Sequence, residues 1–291
     1  MMCATDFEER LFGLVSKTST ELPEDVVQAL EAAASREDQG TPAAAVLSSI
    51  RENLRLAKAR QLPLCQDTGT IHFFIKASDD FPRRQFRIAA EAAVVRATRV
   101  GLLRQNCVES ISGRNTGNNL GHVSPVFHWL EDEGGCGGRR VAEVTLLLKG
   151  GGSENVGVQY SLPDKGLGAG RDLDGVRRCI LDAVLQAQGR GCSPGVLGVA
   201  VGGDRAGGCE EAKLQLLRRF GVRSKDQALA ELEERSLREA NALGIGPMGF
   251  GGRNTLLELF IGARTRHPAS FFVTIAYNCW CLRRQSILLE Y

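Results

Sequence analysis

Apolar and polar positions change period along the chain, and each change marks an element. Over the first sixty residues the spacing is helical, with Leu47, Ile50 and Leu54 recurring on one face. Pro23 followed by Glu24 and Asp25 suits a first helical turn, and Thr41-Pro42 reads as an N-cap and N1 pair. After the turn "LCQDTGT", the aromatic and β-branched "IHFFIKA" predicts a strand, and "RQFRIAAEAAVVRATRVGLL" returns to helical spacing. The polar "SISGRNTGNNLGHVSP" predicts loop. "VAEVTLLLKGGGSENVG" predicts a strand feeding a glycine turn, and a helix follows from about Leu173 to Gln188. "GCSPGVLGVAVGGD" predicts a strand between turns, and residues 224 to 243 a charged amphipathic helix stopped at Gly244. "ASFFVTIAYNCWCL" reads as the last strand, with Phe271, Val273, Ile275, Tyr277, Cys279 and Cys281 alternating onto one apolar face.

Helices and strands are mixed without the regular alternation of a doubly wound fold. The expected class is therefore α+β, with small, largely antiparallel sheets and an N-terminal helical segment over residues 1–60. Residues 1–291 are expected to form one domain, or two closely packed halves, with residues 61–291 the part that carries chemistry. At 291 residues, 43% hydrophobic and 24% charged, the chain is long enough for a substantial core. A net charge of +2 with no basic stripe argues against nucleic acid as a partner. The longest apolar stretch, Phe271 to Leu282, is too short to span a bilayer, and "MMCATDFEERLF" carries acids where a signal peptide carries bases. No membrane association is expected, and the expected location is intracellular, in the cytoplasm.

Nine cysteines, at 3, 65, 107, 136, 179, 192, 209, 279 and 281, form no CxxC motif. Any metal site must gather distant thiols. Cys65, Cys192 and Cys279 each flank a turn or a strand end, where sites are usually placed. For any one of them alone, inert packing is the leading reading, since free cysteine is commonly buried as a small hydrophobe. "GIGPMG" matches a dinucleotide fingerprint letter for letter but follows a helix and precedes a strand, the reverse of the required order. "KGGGSEN" lacks the Gly-Lys-Ser/Thr ending of a phosphate loop, although its glycines allow close approach of backbone N–H groups to an anion. Pattern alone promotes neither Arg104 nor His267: one is ordinarily a solvated charge, the other a hydrogen-bonded structural residue.

Taken in order, "LCQDTGT", "LLRQNCVES", "LLLKGGGSEN", "GCSPGVLGVAVGGD", "NALGIGPMGFGG" and "RHPAS" followed by "NCWCLRR" resemble the α subunit, or N-terminal half, of iron-sulfur class I fumarate hydratases and L(+)-tartrate dehydratases. The resemblance implies a 4Fe-4S cluster held by three cysteines, at positions matching Cys65, Cys192 and Cys279, with Cys281 a second thiol in the same "CWC" segment. It further implies Gln66 and Asp67 as substrate contacts, and Asp67 as acid or base. Arg104, with the Gly151-Gly152 loop, would bind carboxylate, and His267 would lie nearby as a second catalytic group. The implied reaction is reversible hydration of a small dicarboxylate, fumarate to malate, or the corresponding dehydration of tartrate. The family's remaining part, a β subunit or a fused second domain, has no counterpart after Tyr291, so the chain is expected to be inactive alone and to work in an α2β2 assembly. A non-catalytic metal-binding or scaffolding subunit is the competing class. It would keep the cysteines without needing Asp67, Arg104 or His267, all of which are present.

Overall fold

The computed structural model describes residues 4–131 and 140–291, so Cys3 and Cys136 lie outside the described residues. The chain divides into two compact units that interleave in sequence: Met1–Pro23, Asn53–Gly151 and Cys281–Tyr291 form the first, Glu24–Glu52 and Gly152–Trp280 the second.

The first unit contains helix α1 (Ala4–Thr20) and, beyond α2 (Glu24–Arg36) of the second unit, the later half of α3 (Pro42–Arg60). Strand β1 (Thr70–Ala77), helix α4 (Arg83–Arg99), β2 (Val126–Glu131) and β3 (Val141–Lys149) follow. The start of α3 is as expected: Thr41 Oγ1 accepts from the Ala44 N–H at 3.2 Å, and Pro42, with no N–H to leave unpaired, opens the helix. Sheet order is β2-β1-β3-β8, the last strand being Arg283–Glu290. β1 runs parallel to β2 and antiparallel to β3, with Phe73 opposite Leu146. Alternation along β1 and β3 sends Ile71, Phe73, Ile75, Val144, Leu146 and Leu148 to one face. There they bury against Phe7, Leu11 and Leu14 of α1 and Phe86, Ala90 and Val94 of α4. Each large side chain so buried contributes about 1.5–3 kcal/mol.

The second unit holds α2, the first half of α3, a single helical turn α5 (Gly151–Glu154, its first residue in the other unit), β4 (Val158–Ser161), α6 (Leu173–Ala187) and β5 (Gly195–Gly202). It continues through α7 (Arg205–Gln215), α8 (Gln227–Ala242), β6 (Leu256–Arg264) and β7 (Phe272–Asn278), with sheet order β4-β7-β5-β6. All eight positions of β5 are buried, and Gly198 is required there because a Cβ would stand 2.0 Å from the Ala212 carbonyl of α7. Asp172, Asp204 and Asp226 cap α6, α7 and α8 by accepting backbone N–H bonds. Glu233, wholly buried, is held by Arg218 at 2.7 Å and by the Ile261 N–H at 2.8 Å, so its charge is compensated.

Among the described residues four of the six strand pairings are antiparallel, in two small mixed sheets: the class is α+β. Two local expectations differ from the structure and a third agrees. The glycine turn after β3 is the single helical turn α5. Strand β7 ends at Asn278, before "CWC", and is not the last: β8 follows it. Gly244 does adopt a positive φ, +67°, just past α8.

Candidate active site

In the first unit, residues 62–69 form an irregular turn between α3 and β1. Its entry is fixed by Leu64, whose N–H donates to the Ser19 carbonyl (2.9 Å) and whose carbonyl accepts from Asn53 Nδ2 (2.8 Å). Cys65, next along, is half-buried, Gln66 is exposed and Asp67 half-buried. Asp67 Oδ1 accepts from the Gly69 N–H at 3.0 Å, a local turn that orients the carboxylate. Its Oδ2 lies 3.9 Å from where a Cβ on Gly151 would stand, so Asp67 and Gly151 are neighbours. Gly69 has φ +83°, and a Cβ there would meet the Lys149 backbone at 2.8 Å; only glycine lets the turn close on the end of β3.

Thr68 is the residue that joins this turn to the segment carrying Arg104. Buried, its Oγ1 accepts from the Arg104 N–H (3.0 Å) and from Asn106 Nδ2 (2.8 Å). Asn119, at φ +62°, ties the same segment from the other side. It accepts from the Asn106 and Cys107 N–H groups and donates to the Arg104 carbonyl at 2.7 Å. The Arg104 backbone is thereby held on both sides while its side chain is exposed.

In the second unit, Cys192 caps a 3-10 turn (Gln188–Gly191) in the left-handed conformation, φ 52° and ψ 60°, and is exposed. Its carbonyl accepts from the Trp280 N–H at 3.2 Å, which brings the two cysteine-bearing segments together at the ends of β5 and β7. Cys279 is half-buried. Near both lies Tyr277, buried, whose ring crosses Gly191 and Gly195 so closely that a Cβ on either would fall within 2.4 Å of it. Burial foremost, then the nearby Cys279 and Cys192, push the Tyr277 phenol well above its ordinary pKa and keep it neutral. "GIGPMG" has a structural use here. Ser193 Oγ donates to the Gly246 carbonyl (2.6 Å) and the Met248 N–H donates to the Ser193 carbonyl (2.9 Å), bracing the Cys192 turn.

Gly152 opens the second unit's part of α5 and is exposed. His267 is exposed in the β6–β7 connection, and its Nδ1 accepts from the Ala269 N–H at 3.1 Å, so in this tautomer Nε2 carries the proton. Cys281 is 1% exposed, in keeping with a core thiol in the "CWC" pair. Two cavities of the second unit, about 250 and 280 Å³, lie against β4 and are lined by none of the candidate ligand, catalytic or substrate-binding residues. Among the described residues no group of three or more His, Cys, Asp or Glu is arranged to hold a single metal ion. A cubane presents separate irons to separate thiolates, so its ligands need not converge on one point. Within the second unit, Cys192 and Cys279 both lie near the same phenol; Cys65 belongs to the first unit. No helix among the described residues is long and apolar enough to cross a membrane.

Sequence reasoning missed Thr68, Asn119 and Tyr277. Only Tyr277 carried a signal, glycines at 191 and 195 flanking a cysteine turn.

Over residues 8–288 the chain matches the family Fumarate hydratase (Fumerase), and it belongs to that family. It is 47% identical over 285 residues to "Putative fumarate hydratase class I" of Geobacillus stearothermophilus, an alignment covering 97% of this chain and 54% of that protein. It is 36% identical over 267 residues to "Putative L(+)-tartrate dehydratase subunit alpha" of Methanocaldococcus jannaschii, covering 90% of each. It is 29% identical over 285 residues to "L(+)-tartrate dehydratase subunit alpha" of Escherichia coli O157:H7, covering 97% and 90%. The chain thus spans about half the length of the first of these relatives.

Proposed function

We propose that the chain is the α component of an iron-sulfur hydro-lyase that reversibly hydrates a small dicarboxylic acid, fumarate to malate. The family match over residues 8–288 carries the reading. L(+)-tartrate is the second substrate proposed, favoured by the relatives that match over 90% of their own length.

Cys65, Cys192 and Cys279 would hold a 4Fe-4S cluster. The donor set fits in chemistry, and the two thiols of the second unit fit in placement, on adjoining strand ends around a buried neutral phenol that adds no competing charge. Held by these three thiolates, the cluster would supply a Lewis acid for the departing oxygen. The remaining work falls to side chains. Asp67, with one oxygen fixed by the Gly69 N–H and the other toward Gly151, would take or return the proton beside the substrate carboxylate. Gln66, Arg104 and the N–H groups of Gly151 and Gly152 would bind carboxylate, each charge-assisted bond contributing about 1.5–3 kcal/mol. His267 Nε2 is a further proton carrier.

A β partner, in an α2β2 complex, would complete the site. The test is turnover of fumarate, L-malate and L(+)-tartrate by the anaerobically reconstituted chain with its β partner. Asp67→Asn is expected to abolish turnover while keeping the brown cluster absorbance. A loaded complex that processes none of the three acids overturns the reading.

A further inference from the structure

The first unit buries charge of one sign only. Among its described residues the buried charged side chains are Lys149, Arg283 and Arg284, whereas the buried acids Glu37, Glu233 and Glu258 all belong to the second unit. Lys149 and Arg284 have interactions of their own. Arg283 is 1% exposed, and its Nε and Nη1 have no hydrogen-bond partner. A buried guanidinium without an anion is strongly unfavourable, because desolvation is not offset. A bridging water would satisfy a donor but leave the charge.

Position says what kind of anion belongs there. Arg283 is the first residue of β8, opposite Leu148, which is in turn opposite Ile71, so its side chain leaves the sheet on the helix-covered face. Two residues on, and on the same face, Gln285 donates to the Glu21 carbonyl at 3.5 Å, placing the end of α1 along this rim. A helix C-terminus offers only about half a negative charge, not enough to neutralise arginine. The same end of the sheet carries Gly69 packed on Lys149 and, beyond them, Asp67 beside Gly151. A planar guanidinium matches the two oxygens of a carboxylate.

Resting on the proposed hydro-lyase reading, we propose that Arg283 is a carboxylate-binding residue at this end of the first sheet, taking one carboxylate of the dicarboxylic substrate. Arg283 is then a residue whose buried charge is balanced by the substrate.

The experiment uses the full chain with its cluster reconstituted and succinate, a dicarboxylate that cannot be dehydrated, as the probe. Thermal melting and calorimetric titration are run on the wild type, Arg283→Met and Arg283→Lys. Succinate is expected to raise the wild-type Tm. Arg283→Met is expected to bind succinate more weakly by about tenfold or more, with a Tm in succinate-free buffer equal to or above the wild type because the uncompensated charge is gone. Should Arg283→Met fail to fold, Arg283→Lys answers: it keeps a cation but loses the planar donors, and an undiminished succinate affinity overturns the proposal. So does a wild type that binds no succinate, an Arg283→Met chain that keeps the full succinate shift, or an Arg283-dependent effect that sulfate reproduces in full. The two readings fail separately. Arg283-dependent succinate binding without turnover in the complex sinks the hydro-lyase and leaves the site, whereas turnover with undiminished binding by Arg283→Met does the reverse.

Discussion

Tyr277 explains two glycines and, through them, the setting of two cysteines. A Cβ at Gly195 would stand 2.3 Å from the Tyr277 hydroxyl oxygen and 2.4 Å from the ring carbon bearing it. Since the ring is buried, it has to move, and it moves against the segments that carry Cys192 and Cys279. Overpacking of this kind costs about 1–3 kcal/mol. Gly195→Ala is expected to lower the Tm and the amount of cluster retained after reconstitution, read from visible absorbance. The thiols themselves make a second prediction. Burial foremost, then Asp164 and Asp182, push the Cys179 thiol up to about 12, so it is protonated and enclosed at neutral pH. Cys192 and Cys209 are exposed. In metal-free native protein, mass-resolved iodoacetamide labelling is expected to reach Cys192 and Cys209 well before Cys179. Loading the proposed cluster should protect Cys192 and leave Cys209 reactive. Equal labelling of Cys192 with and without cluster would remove it from the ligand set.

At the scale of elements, the turn before β1 and the loop after α4 are joined through one hydroxyl. Thr68→Val removes the acceptor of the Arg104 N–H and the Asn106 amide, two part-buried bonds whose loss costs about 1 kcal/mol each. Its Tm should fall, and Thr68→Ser should recover most of the loss. A helix terminus gives a pH-dependent counterpart. In the first turn of α6, hydrogen bonds from Arg178 and then Arg177 hold the Asp174 carboxyl at about 2, below its ordinary 3.8. The unfolded chain therefore binds this proton more tightly than the folded one, so the contribution is complete above about pH 5 and is lost as pH falls through about 2. Asp174→Asn should lower the Tm slightly at pH 6 and not at pH 2; because the carboxylate is exposed, the difference shrinks in salt.

These elements also show what a sequence discloses. Thr41-Pro42 and Gly244 were legible because caps are local chemistry, written within four residues of the helix they serve. β6, β8 and α7 were not. α7 carries two glycines in "RAGGCEEAKLQ", which weaken its helical signal, and β8 opens on two arginines that no strand propensity favours. The cysteines stood out by lying at turns, whereas Thr68 and Asn119 act on residues that only the folded chain brings near, Arg104 being 36 positions from Thr68.

For the whole molecule the instructive feature is how the chain is shared. It passes from one unit to the other after Pro23, Glu52, Gly151 and Trp280, and α3 is one continuous helix with its first half in the second unit and its later half in the first. Residues singled out from sequence bracket two of these passages: Gly151 and Gly152 lie on either side of one, Cys279 and Cys281 of another. Each unit has a core of its own, Phe73 and Leu146 in one, Leu259 and Val199 in the other. Separate cores alone would permit separate melting. Four passages and a shared helix oppose it, because unfolding either unit unravels half of α3 and frees chain ends that the other unit needs fixed. Phe73→Ala and Leu259→Ala, each costing about 2–5 kcal/mol, are therefore expected to shift one common unfolding transition. Calorimetry of the two variants decides it: a single peak displaced by both supports a chain that folds as a whole, and two peaks, each moved by one substitution, refute it.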